Sequence, residues 1–251
     1  AKWDDKLSDK EKYIWLADSS TVKQSRDREK FTQAKALERT IEKVREHILA
    51  NLAAEDLKRR KIATACYLID ELKLRVGDEK DKDEADTVGA TTLRPSHIKF
   101  KDNGLVAFDF LGKDSVRWHK EVSLPGAVVE NLKQFIREAN SSIFNGVRSD
   151  TVTQFLSEAV PNLTAKVFRT YHGTKAVKEH LRNNYPKSEP DYVKKYVATL
   201  ANLQAAIVCN HKRKLPKNWR NSLQKKIERL RKLQETKKKT KRTKENIEKL
   251  K

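Results

Sequence analysis

The apolar residues of this chain change their spacing twice, and that change limits the folds open to it. Over about 26–51 they fall at Phe31, Ala34, Leu37, Ile41, Val44, Ile48 and Leu49, a helical period. Over about 55–74 they fall at Ile62, Ala65, Cys66, Leu68, Ile69 and Leu72. That stripe is wide, so this helix should lie at the centre of the core. From residue 93 the period drops to two, and 93–100, 105–110 and 116–122 predict three antiparallel strands. Asp102-Asn103-Gly104 makes the first turn between them, and Leu111-Gly112-Lys113-Asp114 the second. After Pro125-Gly126 the helical period returns over about 126–139, 149–159, 164–182 and 189–208. Helices on either side of one short run of strands describe an α+β chain, mainly helical, with a single three-stranded antiparallel sheet.

The two ends differ from this body. Residues 1–20 hold Trp3, Tyr13, Trp15 and Leu16 in a strand-like run that ends in the turn signal Asp18-Ser19-Ser20. From 218 onward, Leu223, Ile227, Leu230 and Leu233 form a stripe too thin for a core of its own, as in one arm of a helical hairpin. Charge is uneven in the same way. The chain carries +20, yet 212–251 alone hold 18 Lys and Arg against 4 Glu, a net of +14. The other 211 residues carry +6, an ordinary globular balance.

A polycation of this kind calls for a polyanion, nucleic acid before an anionic membrane. No apolar run approaches the roughly 20 residues that a membrane span needs, and no signal peptide precedes the first charges. Cys66 and Cys209 read as buried free thiols in a reducing compartment, without metal-ligand spacing. The loop 78–86 holds six carboxylates, but the glycine and terminal Glu of a calcium loop are not in place, so it reads as solvated. No G-x-x-x-x-G-K-[ST] run is present, which argues against ATP use. The chain has no methionine and opens on Ala1, and it reads as a piece of a longer protein.

Four stretches carry cations where chemistry can use them. In Leu163-Thr164-Ala165-Lys166-Val167-Phe168-Arg169-Thr170-Tyr171-His172, Thr164 stands near a helix N-cap, and Lys166 and Arg169 share a face. Cations at a helix N-terminus oppose its dipole. They fit an anion such as phosphate, or else a solvated basic face. Arg75 follows the central helix, and Gly77 can take a positive φ and let backbone approach a ligand. Lys113 sits at a hairpin tip, idle or reaching into a groove. His211 follows a helix end, offsetting its dipole or serving a site with Cys209, Asn210, Lys212 and Arg213 around it.

Leu74-Arg75-Val76-Gly77-Asp78-Glu79-Lys80 with Ala85-Asp86-Thr87-Val88-Gly89, then Phe108-Asp109-Phe110-Leu111-Gly112-Lys113-Asp114-Ser115, the stretch around Arg169, and Ile207-Val208-Cys209-Asn210-His211-Lys212-Arg213 occur in this order. Together they closely resemble the core of the eukaryotic-type type IB DNA topoisomerases, from about Lys12 into the basic tail. The resemblance implies the catalytic-core fold shared with tyrosine recombinases, over 23–217. It makes 1–22 a connector from an N-terminal cap region, 218–251 part of a basic linker helix, and places a tyrosine-bearing C-terminal domain beyond. It implies relaxation of supercoiled duplex DNA, by cutting and resealing one strand through a 3′-phosphotyrosyl intermediate, with no cofactor and no metal.

By the same resemblance Arg75 and Arg169 clamp the scissile phosphate, His211 donates a third hydrogen bond to it, and Lys113 protonates the leaving 5′-oxygen from the minor groove. Guanidiniums suit a pentacoordinate phosphorane because they bind two oxygens at once and stay charged. A lysine can supply the leaving-group proton. Lys12, Tyr13, Lys30, Val76, Gly77, Asp78, Glu79, Lys80, Thr87, Thr164, Ala165, Lys166 and Lys226 match contacts that hold the duplex, as do Arg75, Lys113 and His211 themselves. The partner is double-stranded DNA, bound by a monomer and not by way of a membrane, in the nucleus of a eukaryote or the nucleoid and cytoplasm of an archaeon.

One departure matters. The family's nucleophile lies in a Ser-Lys-x-Asn-Tyr-type motif, and none of Tyr13, Tyr67, Tyr171, Tyr185, Tyr192 and Tyr196 lies in one. Tyr171, two residues from Arg169, points to another face and reads as packing. The nucleophile is then expected on another segment or a second chain. Two other readings stand beside this one. A tyrosine recombinase shares the Arg, Lys, Arg and His chemistry, although the long basic linker and the Arg-Val-Gly-Asp-Glu-Lys block favour a topoisomerase. A non-enzymatic basic nucleic-acid binder is the second, without an aromatic-rich RNA-binding pattern.

Overall fold

The computed structural model describes residues 2–8, 10–77, 88–212, 216–235 and 246–247. The chain divides into two compact units, 1–174 and 175–251.

The first unit opens on a two-stranded hairpin, β1 (Lys2–Asp5) and β2 (Lys10–Tyr13), paired Trp3 to Lys12. The strand-like run expected here is therefore folded back on itself. Helix α1 (Thr21–Asn51) follows and buries Ala34, Leu37, Ile41, Val44 and Ile48, all five on the predicted stripe and three or four apart. Helix α2 (Leu57–Leu72) is capped by Asp56, whose carboxylate accepts from the backbone N–H of Lys58 and Arg59 at 3.1 and 3.2 Å. Such a cap satisfies donors that the first turn leaves orphaned.

Almost the whole of α2 from Ile62 on is buried, and it packs against α1, α3 (Gly126–Arg137) and α4 (Ser149–Ala159). It is the core helix that its wide stripe predicts. Lys73 ends it in the left-handed conformation, φ 58°.

The sheet has the order β3-β4-β5, all antiparallel. β4 (Val106–Gly112) and β5 (Val116–Val122) are its long strands. Phe108 and Phe110 turn inward against Trp118, the Phe110 and Trp118 rings stacked at 5.2 Å. β3 is only Ile98–Phe100. Of the strand expected over 93–100, Leu93 and Arg94 are irregular and Pro95–His97 is a 3-10 turn, a second such turn, Ala90–Thr92, coming just before. Pro95 has no N–H to give a ladder, and the Leu93 carbonyl is taken by the Ile143 N–H at 2.9 Å. The Asp102-Asn103-Gly104 turn forms as expected, with Gly104 at φ 78° and Asn103 Oδ1 accepting from the Leu105 N–H.

Helix α5 (Ala165–Asn184) begins in the first unit and continues into the second. The second unit further holds α6 (Asp191–Val208) and α7 (Trp219–Glu235). No residue of α7 is buried, and Leu223 and Ile227 stay exposed, as a thin stripe implies. Among the described residues no helix is long and apolar enough to cross a membrane. Cys66 and Cys209 are both buried and unbridged, and burial pushes the Cys66 thiol far up.

Candidate active site

The C-terminal end of α2 is the hub of the first unit's site. Past Lys73 the chain runs extended, Leu74 and Val76 turned inward and Arg75 outward. The Arg75 carbonyl accepts from the Ala90 N–H at 2.8 Å, and the Val76 carbonyl from the Thr91 N–H at 2.7 Å and its hydroxyl at 3.0 Å. The backbone beneath Arg75 is thus bonded on both residues. Gly77, at φ 120°, lies directly on Gly89.

A Cβ on Gly89 would stand 2.4 Å from Gly77 Cα and 2.7 Å from the Arg75 carbonyl oxygen, which are backbone atoms that cannot swing aside. Gly89→Ala should therefore lower stability by about 1–3 kcal/mol through overpacking and shift Arg75. Chemical denaturation of the variant, with a DNA-binding titration beside it, checks this. A variant of unchanged stability would show that the two backbones do not meet. Asp78, Glu79, Lys80 and Thr87, expected to touch DNA, lie outside the described residues.

One residue before Gly89, the Val88 N–H donates to the Leu111 carbonyl at 2.8 Å. That bond ties the Arg75 segment to the β4–β5 hairpin. β4 runs two residues further than expected, to Gly112, and the turn is Lys113–Ser115 with Ser115 at φ 55°. Lys113 is exposed at the start of that turn. In the stem, Arg117 Nε donates to Asp109 Oδ1 at 2.8 Å. The hydrogen bonding from Arg117 outweighs desolvation and, with the charges of Arg117 and His119, holds the Asp109 carboxyl down to about 2.

The third cation comes from α5. Thr164 precedes the helix, its carbonyl accepting from the Val167 N–H at 3.1 Å, and Lys166 is exposed on the first turn. Val167, Phe168 and Tyr171 are buried, as their expected direction requires, with Tyr171 only 4% exposed. Arg169 is half-buried and donates from Nη1 to the carbonyl of Lys73. A cation opposed to the dipole of its own helix thus serves the negative C-terminal end of α2. Arg75, Lys113 and Arg169, far apart in sequence, are joined by hydrogen bonds through Lys73, Ala90, Val88 and Leu111.

Sequence reasoning missed a second set behind these. His172 Nε2 lies 2.6 Å from Asp70 Oδ1, and Arg45 Nε donates to Asp70 Oδ2 at 2.8 Å. Burial pushes the Asp70 carboxyl up, but hydrogen bonds from His172 and Arg45 and the Arg45 charge more than offset it, leaving it below the usual carboxylate range. The available signal was a charge inside an apolar stripe, since a buried carboxylate requires a partner.

In the second unit, His211 is set by the end of α6. Its N–H donates to the Ala206 carbonyl at 2.7 Å, and the N–H of Asn210, at φ 52°, to that of Ile207 at 3.1 Å. These two bonds are a Schellman cap. Asn at the left-handed position is what lets the helix stop there and present an exposed His211.

Of the other expected contacts, Lys12 pairs with Asp5 across the first hairpin, Tyr13 is 62% exposed beside Trp15, Lys30 lies over Phe31 on α1, and Lys226 is exposed on α7. Val76 and Ala165 are buried, so any contact they make to DNA is through backbone. Tyr67 is half-buried on α2, where burial, then Glu71 and Asp70, raise its hydroxyl, the opposite of an activated phenol. Among the described residues no group of three or more His, Cys, Asp and Glu side chains converges as a metal site.

The family model for the catalytic core of eukaryotic DNA topoisomerase I matches residues 19–244. DNA topoisomerase 1 of Daucus carota is 40% identical over 226 residues, 87% of this chain and 29% of that protein. DNA topoisomerase 1 of Schizosaccharomyces pombe is 36% identical over 93% of this chain and 29% of its own length. The mitochondrial DNA topoisomerase I of Rattus norvegicus is 35% identical over 91% of this chain and 40% of its own. The chain thus spans well under half the length of these relatives. Its mainly helical architecture and three-stranded sheet agree with the family match, and the chain belongs to the eukaryotic DNA topoisomerase I family.

Proposed function

We propose that the protein relaxes supercoiled duplex DNA by cutting and resealing one strand through a 3′-phosphotyrosyl intermediate, without ATP or a metal. What supports this reading is that the segments carrying Arg75, Lys113 and Arg169 are tied to one another by hydrogen bonds near the end of α2. In this scheme Arg75 and Arg169 bind the non-bridging oxygens of the scissile phosphate, where negative charge grows in the phosphorane. His211 donates to the same phosphate. Lys113 enters the minor groove and gives its proton to the leaving 5′-oxygen. Residues 23–217 act as the core, 218–251 as part of a linker, and 1–22 as the connector to a cap.

The nucleophile belongs to a tyrosine outside these 251 residues, on the same chain or another. The raised hydroxyl of Tyr67 and the burial of Tyr171 support that. The DNA is bound by a monomer, in the nucleus on the strength of the eukaryotic relatives; none of those relatives favours an archaeal setting. The deciding experiment is plasmid relaxation by the full-length protein with chelator and without ATP, beside a two-site recombination assay. Recombined product without relaxation would replace this reading with a recombinase.

Duplex binding should be largely independent of sequence and steep in salt. Lys12, Tyr13, Lys30, Thr164, Lys166 and Lys226 address the backbone, and Val76, Gly77 and Ala165 approach it with main chain. If about six phosphates are neutralised, affinity should fall roughly 10³-fold between 50 and 200 mM salt. Titration by fluorescence anisotropy at several salt concentrations checks this, and a flat response would refute it.

A further inference from the structure

We propose that Asp70 and His172 form a positioning pair that sets the rotation of α5, and so the aim of Arg169. This rests on the reading of Arg169 as a phosphate clamp. On α5, His172 lies one turn after Arg169. On α2, Asp70 lies one turn before Lys73. Arg169 donates to Lys73 O and His172 meets Asp70 Oδ1. The two contacts run in opposite directions along the two helices and make two rungs between them. Apolar packing alone tolerates small rotations, whereas two directional bonds one turn apart select one rotation and one slide.

The carboxylate itself is held. His172 takes one oxygen at 2.6 Å and Arg45 of α1 takes the other at 2.8 Å, so its plane cannot turn. Arg45 is in turn paired with Glu42 at 2.9 Å. The His172 and Asp70 side chains are each about 10% exposed, so water does little to loosen the bond. α2 packs broadly along α1, α3 and α4, whereas α5 is not among the helices packed closely along it. Buried Ala165, Val167, Phe168 and Tyr171 seat α5 on the core, and the two polar contacts, being directional, set its rotation within that seat.

The lever is short and steep. Side-chain ends lie roughly 5–6 Å from a helix axis, so a rotation of about 10° moves them by about 1 Å. A misplacement of about 1 Å can cost on the order of 10²-fold in rate. His172 touches neither DNA nor the reacting atoms in this scheme; it acts through Arg169.

The test uses the full-length enzyme. Single-turnover cleavage of a suicide substrate, DNA affinity and thermal midpoint are measured for His172→Phe, His172→Gln, Asp70→Asn, Arg169→Ala and Arg169→Ala with His172→Phe. His172→Phe keeps ring bulk without the bond and should slow cleavage roughly 10- to 100-fold, with affinity nearly unchanged. His172→Gln, whose Nε2 can reach the same oxygen, should recover most of the rate. Asp70→Asn should fall between them, and it carries the test if His172→Phe does not fold. The double variant should be no slower than Arg169→Ala alone. A lower thermal midpoint with an unchanged cleavage rate would overturn the proposal and leave a merely structural pair. If Arg169→Ala cleaves normally, the clamp reading itself falls. If Arg169→Ala is slow and His172→Phe is not, only the positioning role falls.

Discussion

Replacing Lys113 with alanine in the full-length enzyme is expected to slow strand cleavage by on the order of 10²- to 10⁴-fold, the range for loss of a general acid. DNA binding should change far less. Lys113 stands exposed where the turn leaves β4, on a hairpin stiffened by the Asp109 and Arg117 pair and bonded at Leu111 to the segment that carries Arg75. Its backbone is thus tied to the segment that carries Arg75, and proton transfer needs its Nζ within hydrogen-bond reach of the leaving oxygen. A substrate with sulfur at the 5′-bridging position leaves without protonation and should restore cleavage by the variant. Single-turnover rates on the two substrates decide the matter. If sulfur does not rescue Lys113→Ala, Lys113 is a groove contact only.

A protein consisting of residues 1–251 alone is expected to bind duplex DNA and yet to form no covalent adduct and relax no plasmid. Electrostatic stabilisation without an attacking group cannot break the strand at a useful rate. Of the six tyrosines, Tyr171 is buried against His172, and Tyr67 has its hydroxyl pushed up by burial and neighbouring carboxylates. Tyr13 on β2 and Tyr196 on α6 are exposed, as is Tyr185 just past α5, and Tyr192 is half-buried in the first turn of α6. Adding the tyrosine-bearing segment of the full-length protein in trans should restore trapping on a suicide substrate. An adduct from residues 1–251 alone, mapped to any of the six, would overturn the assignment of the nucleophile.

The fold was legible where burial writes a period into the sequence. The stripe of α2 and the alternation in β4 both return as buried faces. The start of α1 was not legible, because 21–33 are at most partly buried and nothing there selects apolar residues at a helical spacing. The strand over 93–100 was over-read for the opposite reason. Leu93 and Ile98 are both buried, but the 3-10 turn at Pro95–His97 and the bond from Ile143 to Leu93 separate them, and only Ile98 joins the sheet.

The same division runs through the site. The cations themselves could be picked out, since Lys166 and Arg169 sit where a helix gains nothing from them. Their supports could not. Lys73 offers Arg169 a backbone carbonyl, which every residue type has, and Asp70 finds His172 across 102 residues. The Gly77 and Gly89 contact is half visible, as two glycines beside Arg75 and Val88, but not as one touching the other.

The span of the Arg169 bond also sets an order of assembly. Arg75 meets Ala90 only 15 residues on, while Arg169 returns to Lys73 across 96. Closing long loops costs more chain entropy, and non-local contacts form late. On a ribosome adding roughly 5–20 residues per second, residue 169 is made about 5–20 seconds after α2 is complete. Until then a growing chain can fold the Arg75 and Lys113 segments but has no second guanidinium to oppose them. On the proposed scheme, a chain interrupted in synthesis or trimmed before α5 would lack one of the two phosphate clamps, and a strand could be cut only after the chain has folded through α5.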